Sequence, residues 1–253
     1  MLGHARSHLA TLEAEISQYL ASGACSISRT RNIDELRQGS EWVFTLEVRA
    51  PVPEELSALI GDALHDMRSA LDYLVWGLAV REGGDPPLHA REVGFPIRTD
   101  RADFFNATNR QIGELPAAAR AAIEELQPFH GPPHDLLRWL NELSNVDKHR
   151  TLHLAAAAVS SARFYPAGIP GPVTLEDFYS GPVPNSAVVA RLRATGPDAV
   201  SADLKVGALL DVVVVFADDT GANADVNYLL GRIWRHIDSV VVPRLESFLR
   251  PVG

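Results

Sequence analysis

A single cysteine, Cys25, leaves the 253-residue chain no partner for an intramolecular disulfide, so the fold does not need an oxidising compartment. Cys25 lies in Ala-Cys-Ser-Ile-Ser, which reads as the start of a strand rather than the electropositive setting a reactive thiolate needs. Long apolar runs are also missing. The best candidate, residues 209–217, is strand-length and broken by Asp211, far short of the ~20 residues of a membrane span. The N-terminus lacks the basic-then-apolar plan of a signal peptide. These absences predict a cytoplasmic protein with no membrane partner. Positive charge is scarce as well: the net charge of −9 excludes a generally basic, nucleic-acid-coating surface. There is no P-loop, no G-x-G-x-x-G and no G-x-S-x-G, and no H-E-x-x-H. No cofactor is implied.

What is present is an ordinary globular composition, 46% hydrophobic, in a chain long enough to bury a core without staples. Helical periodicity marks five segments: 2–20, 53–80, 116–126, 133–147 and 225–249, the last bent at Pro243. Residues 26–32 and 41–50 flank a polar turn and read as a hairpin, with Trp42, Phe44, Leu46 and Val48 on one face. Further strands are predicted over 152–159, 163–165, 188–194 and 204–216, with 166–184 as a Gly/Pro-rich loop. Phe95-Pro96-Ile97 reads as a loop that plugs the core. The order predicts an α+β fold. It is a bundle of about five helices, with an N-terminal β-hairpin and an antiparallel sheet inserted before the last helix. The chain reads as one domain over 1–253, with 152–220 a candidate β subdomain.

Two helices carry chemistry. On a wheel of residues 53–80, Leu56, Ile60, Ala63, Leu64, Met67, Ala70, Leu71, Leu74 and Leu78 form the core stripe. Opposite lie Gly61, His65, Arg68, Ser69, Asp72 and Trp76, where a free surface would carry Lys, Glu and Gln. His65, Arg68 and Asp72 are spaced to touch in sequence along the helix. The second helix buries Leu136, Leu137, Leu140, Leu143 and Ser144, and turns Arg138, Asn141, Glu142, Asn145 and His149 outward. Asp147 breaks this pattern by lining up with the apolar stripe, so it must pair or sit at a helix end. The run Asn145-Val146-Asp147-Lys148-His149-Arg150 is the densest chemical cluster in the chain.

These stripes read either as structural ion pairs, Asp72 with Arg68 and Asp147 with Lys148 or Arg150, or as one polar pocket between the helices. In the second reading His65 or His149 titrates and Arg68 or Arg150 holds an anion. Arg68, Asp72, Asn141, Asn145, Asp147 and Lys148 are then the binding candidates, and His149, His65 and Arg150 the candidate catalytic groups. The spacings His149/His153 and His130/His134 would suit a metal on a continuous helix. The second pair flanks Gly-Pro-Pro and the first straddles a helix–strand boundary, so no metal site is predicted. Arg232 and His236, with Arg235 beside them, are placed on the solvent side of the last helix.

The runs Gly61-Asp62-Ala63-Leu64-His65-Asp66-Met67-Arg68-Ser69-Ala70-Leu71-Asp72, Phe95-Pro96-Ile97, Leu126-Gln127-Pro128-Phe129-His130 and Leu140-Asn141-Glu142-Leu143-Ser144-Asn145-Val146-Asp147-Lys148-His149-Arg150 resemble, in that order, the pattern of a widespread bacterial family of uncharacterised proteins. The resemblance spans roughly residues 40–160 and implies no particular activity. More distantly the chain resembles HEPN-like helical bundles, many of them metal-independent ribonucleases of defence and toxin systems. Those carry an Arg and a downstream His with four to six residues between. Here Arg150 and His153 have two between them, Arg232 and His236 three, and His65 lies upstream of Arg68. Three functions follow as expectations: a module binding a small anionic or nucleotide-like ligand, a HEPN-like ribonuclease acting on RNA, or a non-catalytic interaction protein, with a homodimer as a possible assembly.

Overall fold

The computed structural model describes residues 1–34, 39–149, 152–158, 163–167, 173–179, 181–196, 199, 205–209, 211–217 and 224–249. It divides into two compact units. One comprises Met1–Glu13, Glu55–Leu152 and Asn227–Gly253, and the other Ala14–Glu54 and His153–Val226. The fold is α+β, as its sequence pattern predicts, with a hairpin near the N-terminus and antiparallel sheets.

In the first unit the organising element is α2 (Glu55–Gly83). Glu55 in its first turn and Arg81 in its last suit the helix dipole. Its predicted apolar stripe is buried except for Leu74, which is half-covered. Ser57, Gly61, Asp66, Val75 and Ala79 are buried too, so neighbours cover α2 on more than one side. The helix α6 (Asp135–His149) packs on it through Leu136, Leu137, Leu140 and Leu143, all buried. Between them run α3 (Arg101–Ala107), α4 (Asn109–Ile112) and α5 (Ala117–Glu125). Neither α3 nor α4 shows in the apolar periodicity, because four to seven residues are too few to display it. The Asp100 carboxylate accepts the Asp103 N–H at 3.0 Å and starts α3, a helix-entry pattern present in the sequence.

The N-terminal helix α1 (Leu2–Ala21) ties to α2 through His8 and Asp66, 3.7 Å apart. The final helix begins as α7 (Val226–His236), passes through a π-helical turn over Ile237–Val241, and continues as α8 (Val242–Glu246). The Val242 N–H bonds the Ile237 carbonyl five residues back. Pro243 has no N–H and its ring would crowd the carbonyl four residues before it, and the wider turn takes up that conflict. Counting this last helix as continuous, seven helices among the described residues replace the expected five, the additions being α3 and α4. None is long and apolar enough to cross a membrane.

In the second unit, β1 (Cys25–Asp34) and β2 (Gly39–Val48) form the hairpin, Cys25 opposite Val48. Residues 35–38 of its expected turn lie outside the described residues. The hairpin is not a separate ribbon. β2 also pairs with β7 (Ser186–Thr195), which pairs with β5 (Val173–Phe178), giving the order β1-β2-β7-β5. A three-stranded sheet orders β6 (Pro182–Val183), β3 (Leu154–Ala158) and β9 (Val212–Phe216), and β4 (Arg163–Ala167) pairs with β8 (Lys205–Leu209). The stretch 166–184, expected to be all loop, thus contributes β5 and β6. β5 is an edge strand whose residues are mostly exposed, so it lacks the apolar alternation that identifies buried strands. The expected single strand 204–216 is two strands, β8 and β9. Trp42, Phe44 and Leu46 pack with Val189, Leu192 and Val183 in this unit's core. Cys25 lies 3.4 Å from the Tyr19 hydroxyl, which donates to the Ala50 carbonyl, a packing environment rather than an electropositive one.

Candidate functional site

The polar face of α2 divides into two parts with different jobs. In the C-terminal part, Arg68 Nη2 donates to Asp72 Oδ1 at 3.1 Å and to the Phe95 carbonyl at 2.5 Å. Asp72 Oδ1 in turn accepts the Phe95 N–H at 2.8 Å. Both backbone groups of Phe95 are therefore held by α2. From the other side the fully buried Gln127 donates to the Pro96 carbonyl and accepts the Arg98 N–H, both at 2.9 Å. The segment 95–98 is thereby pinned with Phe95 and Ile97 inside the core, where the sequence places them. Burial lowers the Arg68 pKa, the Asp72 charge opposes that fall, and Arg98 adds to it. Arg68 Nη1 is buried without a partner.

Beside this clamp is an open pocket of about 190 Å³. Ser69, Asp72, Tyr73, Trp76 and Val93 line it. Asp72 keeps 40% of its side chain exposed and Tyr73 61%. The pocket presents one fixed carboxylate, the Ser69 hydroxyl, and the aromatic side chains of Tyr73 and Trp76, and no cation is among its described lining residues.

In the N-terminal part of α2, Gly61 faces the end of α6. A Cβ at position 61 would stand 2.7 Å from Asp147 Oδ1, so only glycine leaves room for that carboxylate. Asp147 is exposed and two residues from the end of α6, which is how a carboxylate aligned with the apolar stripe is accommodated. Its pKa is raised, first by loss of solvent and then by the Asp62 charge, with His65 pulling the other way. His65 is exposed, its Nε2 3.4 Å from the Ser69 hydroxyl. Because the folded pKa is raised, ionisation of Asp147 weakens the fold as pH rises through it. Asp147→Asn is expected to raise the melting midpoint at pH 7 and to leave it unchanged near pH 3, where the native side chain is already neutral. Paired thermal melts at the two pH values check this, and a gain at both would point to something other than charge.

Gly61 and Asp72 are eleven residues apart, about 16 Å along the helix axis. The Asp147 carboxylate and the Asp72 pocket are therefore separate places on α2. Ser69 lies between Gly61 and Asp72 in the helix, 3.4 Å from His65 and lining the pocket. Asn141 is half-buried, and Asn145 and Lys148 are exposed; none of the three lines the Asp72 pocket. Arg150 and the side chain of His149 lie outside the described residues. Arg138 is held by Asp135 at 2.8 Å and by Glu142 at 3.1 Å, and lies over the Trp139 ring. Among the described residues no group of three His, Cys, Asp or Glu side chains could hold a metal ion.

His236, expected on the solvent side, is instead 5% exposed. It follows Leu229 by seven residues and Ile233 by three, a spacing that puts it on the apolar face and was available in the sequence. Its ring centroid lies 5.3 Å from that of His134. Comparison with protein-family models, with curated proteins and with solved structures gives no match for this chain.

Proposed function

We propose that the protein is a small-ligand-binding module, and that its ligand is a planar, hydrogen-bond-donating molecule of the nucleobase type seated on the outer face of α2. The observation that carries this reading is the Asp72 carboxylate, fixed by Arg68 and the Phe95 N–H, at the wall of a pocket it shares with Tyr73 and Trp76. A preorganised carboxylate accepts from a ring N–H or an exocyclic amine without first being ordered. An aromatic side chain offers a face on which a base stacks for about 1–3 kcal/mol. At about 190 Å³ the pocket suits a ligand smaller than the usual drug-sized occupant.

The sequence suggests an anionic or nucleotide-like ligand. The anionic half of that expectation is not favoured at this pocket, since Arg68 already serves Asp72 and Phe95 and no other cation lines it. The same engagement of Arg68 counts against giving it the phosphate-stabilising role in a HEPN-like ribonuclease. Titration of adenine, cytosine and adenosine, followed by NMR, is expected to show saturable shifts of Trp76 and Tyr73. Tyr73→Ala and Trp76→Ala should each weaken binding about tenfold, the cost of one stacking contact. No response to any base or nucleoside up to roughly 10 mM, the weak limit of specific recognition, or equal affinity in both variants, would remove the proposal.

A further inference from the structure

Away from α2, the first half of α1 and α7 enclose a groove of about 370 Å³. The volume lies within the range of small-molecule sites. The Trp234 indole N–H donates to the Leu2 carbonyl and Arg6 lies over the Trp234 ring, 5.6 Å from its centroid, while the lining runs from Arg6 to Glu13 on one helix and from Trp234 and Arg235 back to Asn227 on the other. One end of the groove therefore holds Arg6, Trp234 and Arg235, and the other Glu13 and Asn227. Arg6 to Glu13 is seven residues, about 10 Å along the axis.

Neither arginine has a carboxylate partner among the described residues. Arg6 touches the indole, and Arg235 donates from Nε to the carbonyl of Gly231 on its own helix. Two guanidinium groups unpaired in one groove are an unusual arrangement in a chain of net charge −9. Arginine is the side chain best shaped for two-point recognition of phosphate. The floor gives a second, independent indication. Gly231 sits inside α7, where glycine is a poorer helix former than alanine. Packing does not require it: the nearest atom to a Cβ there would be Arg235 Nη2, at an ordinary 3.7 Å. Glycine at this position leaves room beside the Arg235 guanidinium, on a wall of the groove that Leu9 and Ala10 also line.

We infer that this groove binds a small phosphate ester, with the phosphate between Arg6 and Arg235 and a hydroxyl- or amine-bearing body reaching toward Asn227 and Glu13. The chemistry of the lining fixes the orientation. The cationic end takes the anion, the Gly231 floor with Leu9 and Ala10 takes the apolar middle, and the Glu13–Asn227 end accepts hydrogen bonds. This site is distinct from the Asp72 pocket and does not depend on it.

The test is calorimetric titration of the full chain with two base-free esters, glycerol 3-phosphate and ribose 5-phosphate, and with inorganic phosphate. At least one ester is expected to bind ten times or more tightly than inorganic phosphate, and to weaken as salt is raised. Arg6→Gln and Arg235→Gln should each lower its affinity at least tenfold. Gly231→Leu should abolish binding without lowering the melting midpoint, since leucine improves the helix. Neither ester carries a base for the Asp72 pocket to take, so the two sites fail or stand separately. The inference is overturned by millimolar indifference to both esters, by affinity unchanged in both arginine variants, or by phosphate binding as tightly as the esters.

Discussion

Lowering the pH from 6.5 to 4 is expected to cost the folded state on the order of 3 kcal/mol through one residue, His236. Its ring is 5% exposed, with Nε2 buried and without a partner, and the facing His134 has Nδ1 in the same condition. The rings meet at 5.3 Å and 63°, edge toward face. Burial, and then the neighbouring His134, push the His236 pKa down to about 4, and His134 is lowered by burial and by His130. A folded pKa below the unfolded value means that the unfolded chain takes up the proton more readily. The contribution of neutral His236 is therefore complete above about pH 6.5, declines as pH falls, and is gone below about pH 4.

Carboxylates titrate in the lower part of that window, so the decisive quantity is a difference between proteins. Urea denaturation of the wild type and of His236→Leu at pH 7, 5.5 and 4.5 should show the variant losing much less stability across the series. Leucine fills the buried site without a titratable nitrogen, and Ile237, Val241 and Leu245, all fully buried, keep the helix docked. Parallel slopes for the two proteins would show that His236 does not carry the acid sensitivity. If the variant is too weak to compare, the ring resonances of His236 in the wild type decide the matter, since titration near pH 6.5 contradicts the burial argument.

Replacing Gln127 by leucine is expected to destabilise the protein by about 3 kcal/mol or more, although leucine is similar in size and apolar. The amide supplies three bonds from a fully buried position: to the Pro96 carbonyl at 2.9 Å, to the Ile123 carbonyl at 3.0 Å, and from the Arg98 N–H at 2.9 Å. Without it the Pro96 carbonyl and the Arg98 N–H lose their side-chain partner next to the core, at roughly 1–3 kcal/mol for each group left unsatisfied. On the opposite side of the same segment, Arg68→Met should produce a loss of similar size, because it strands Asp72 and frees the Phe95 carbonyl. A double-mutant cycle between Arg68 and Asp72 should give a coupling above about 0.5 kcal/mol. If Gln127→Leu unfolds at the wild-type urea midpoint, solvent satisfies those groups and the segment is not clamped.

The stripe from Leu56 to Leu78 was legible because a helix repeats every 3.6 residues, so each apolar residue reports the same face. The same rule detected that His65, Arg68, Asp72 and Trp76 were an odd choice for free surface. It could not say what covers them. Phe95 is 23 residues from Asp72 and Gln127 is 31 from Pro96, and no local pattern encodes such a meeting. Asp147 shows the limit from the other direction: its place on the wheel demanded an accommodation, and besides its exposure near the helix end this took a missing side chain on another helix, at Gly61. The edge strand β5 was missed because its bonds to β7 are made by backbone, which every residue possesses.

The sequence by itself determined the helices long enough to repeat, the hairpin, the α+β class, and the fact that two helices carry polar groups in unusual positions. These follow from local periodicity and from the few residues that start or stop a segment. Only the tertiary structure decided what those groups do. It spent Arg68 and Asp72 on holding Phe95, separated them from Asp147 along α2, buried His236 against His134, and opened a groove between Arg6 and Arg235. The physical reason is that the charge state and availability of a side chain depend on solvent access and on partners far away in sequence, and those are properties of packing.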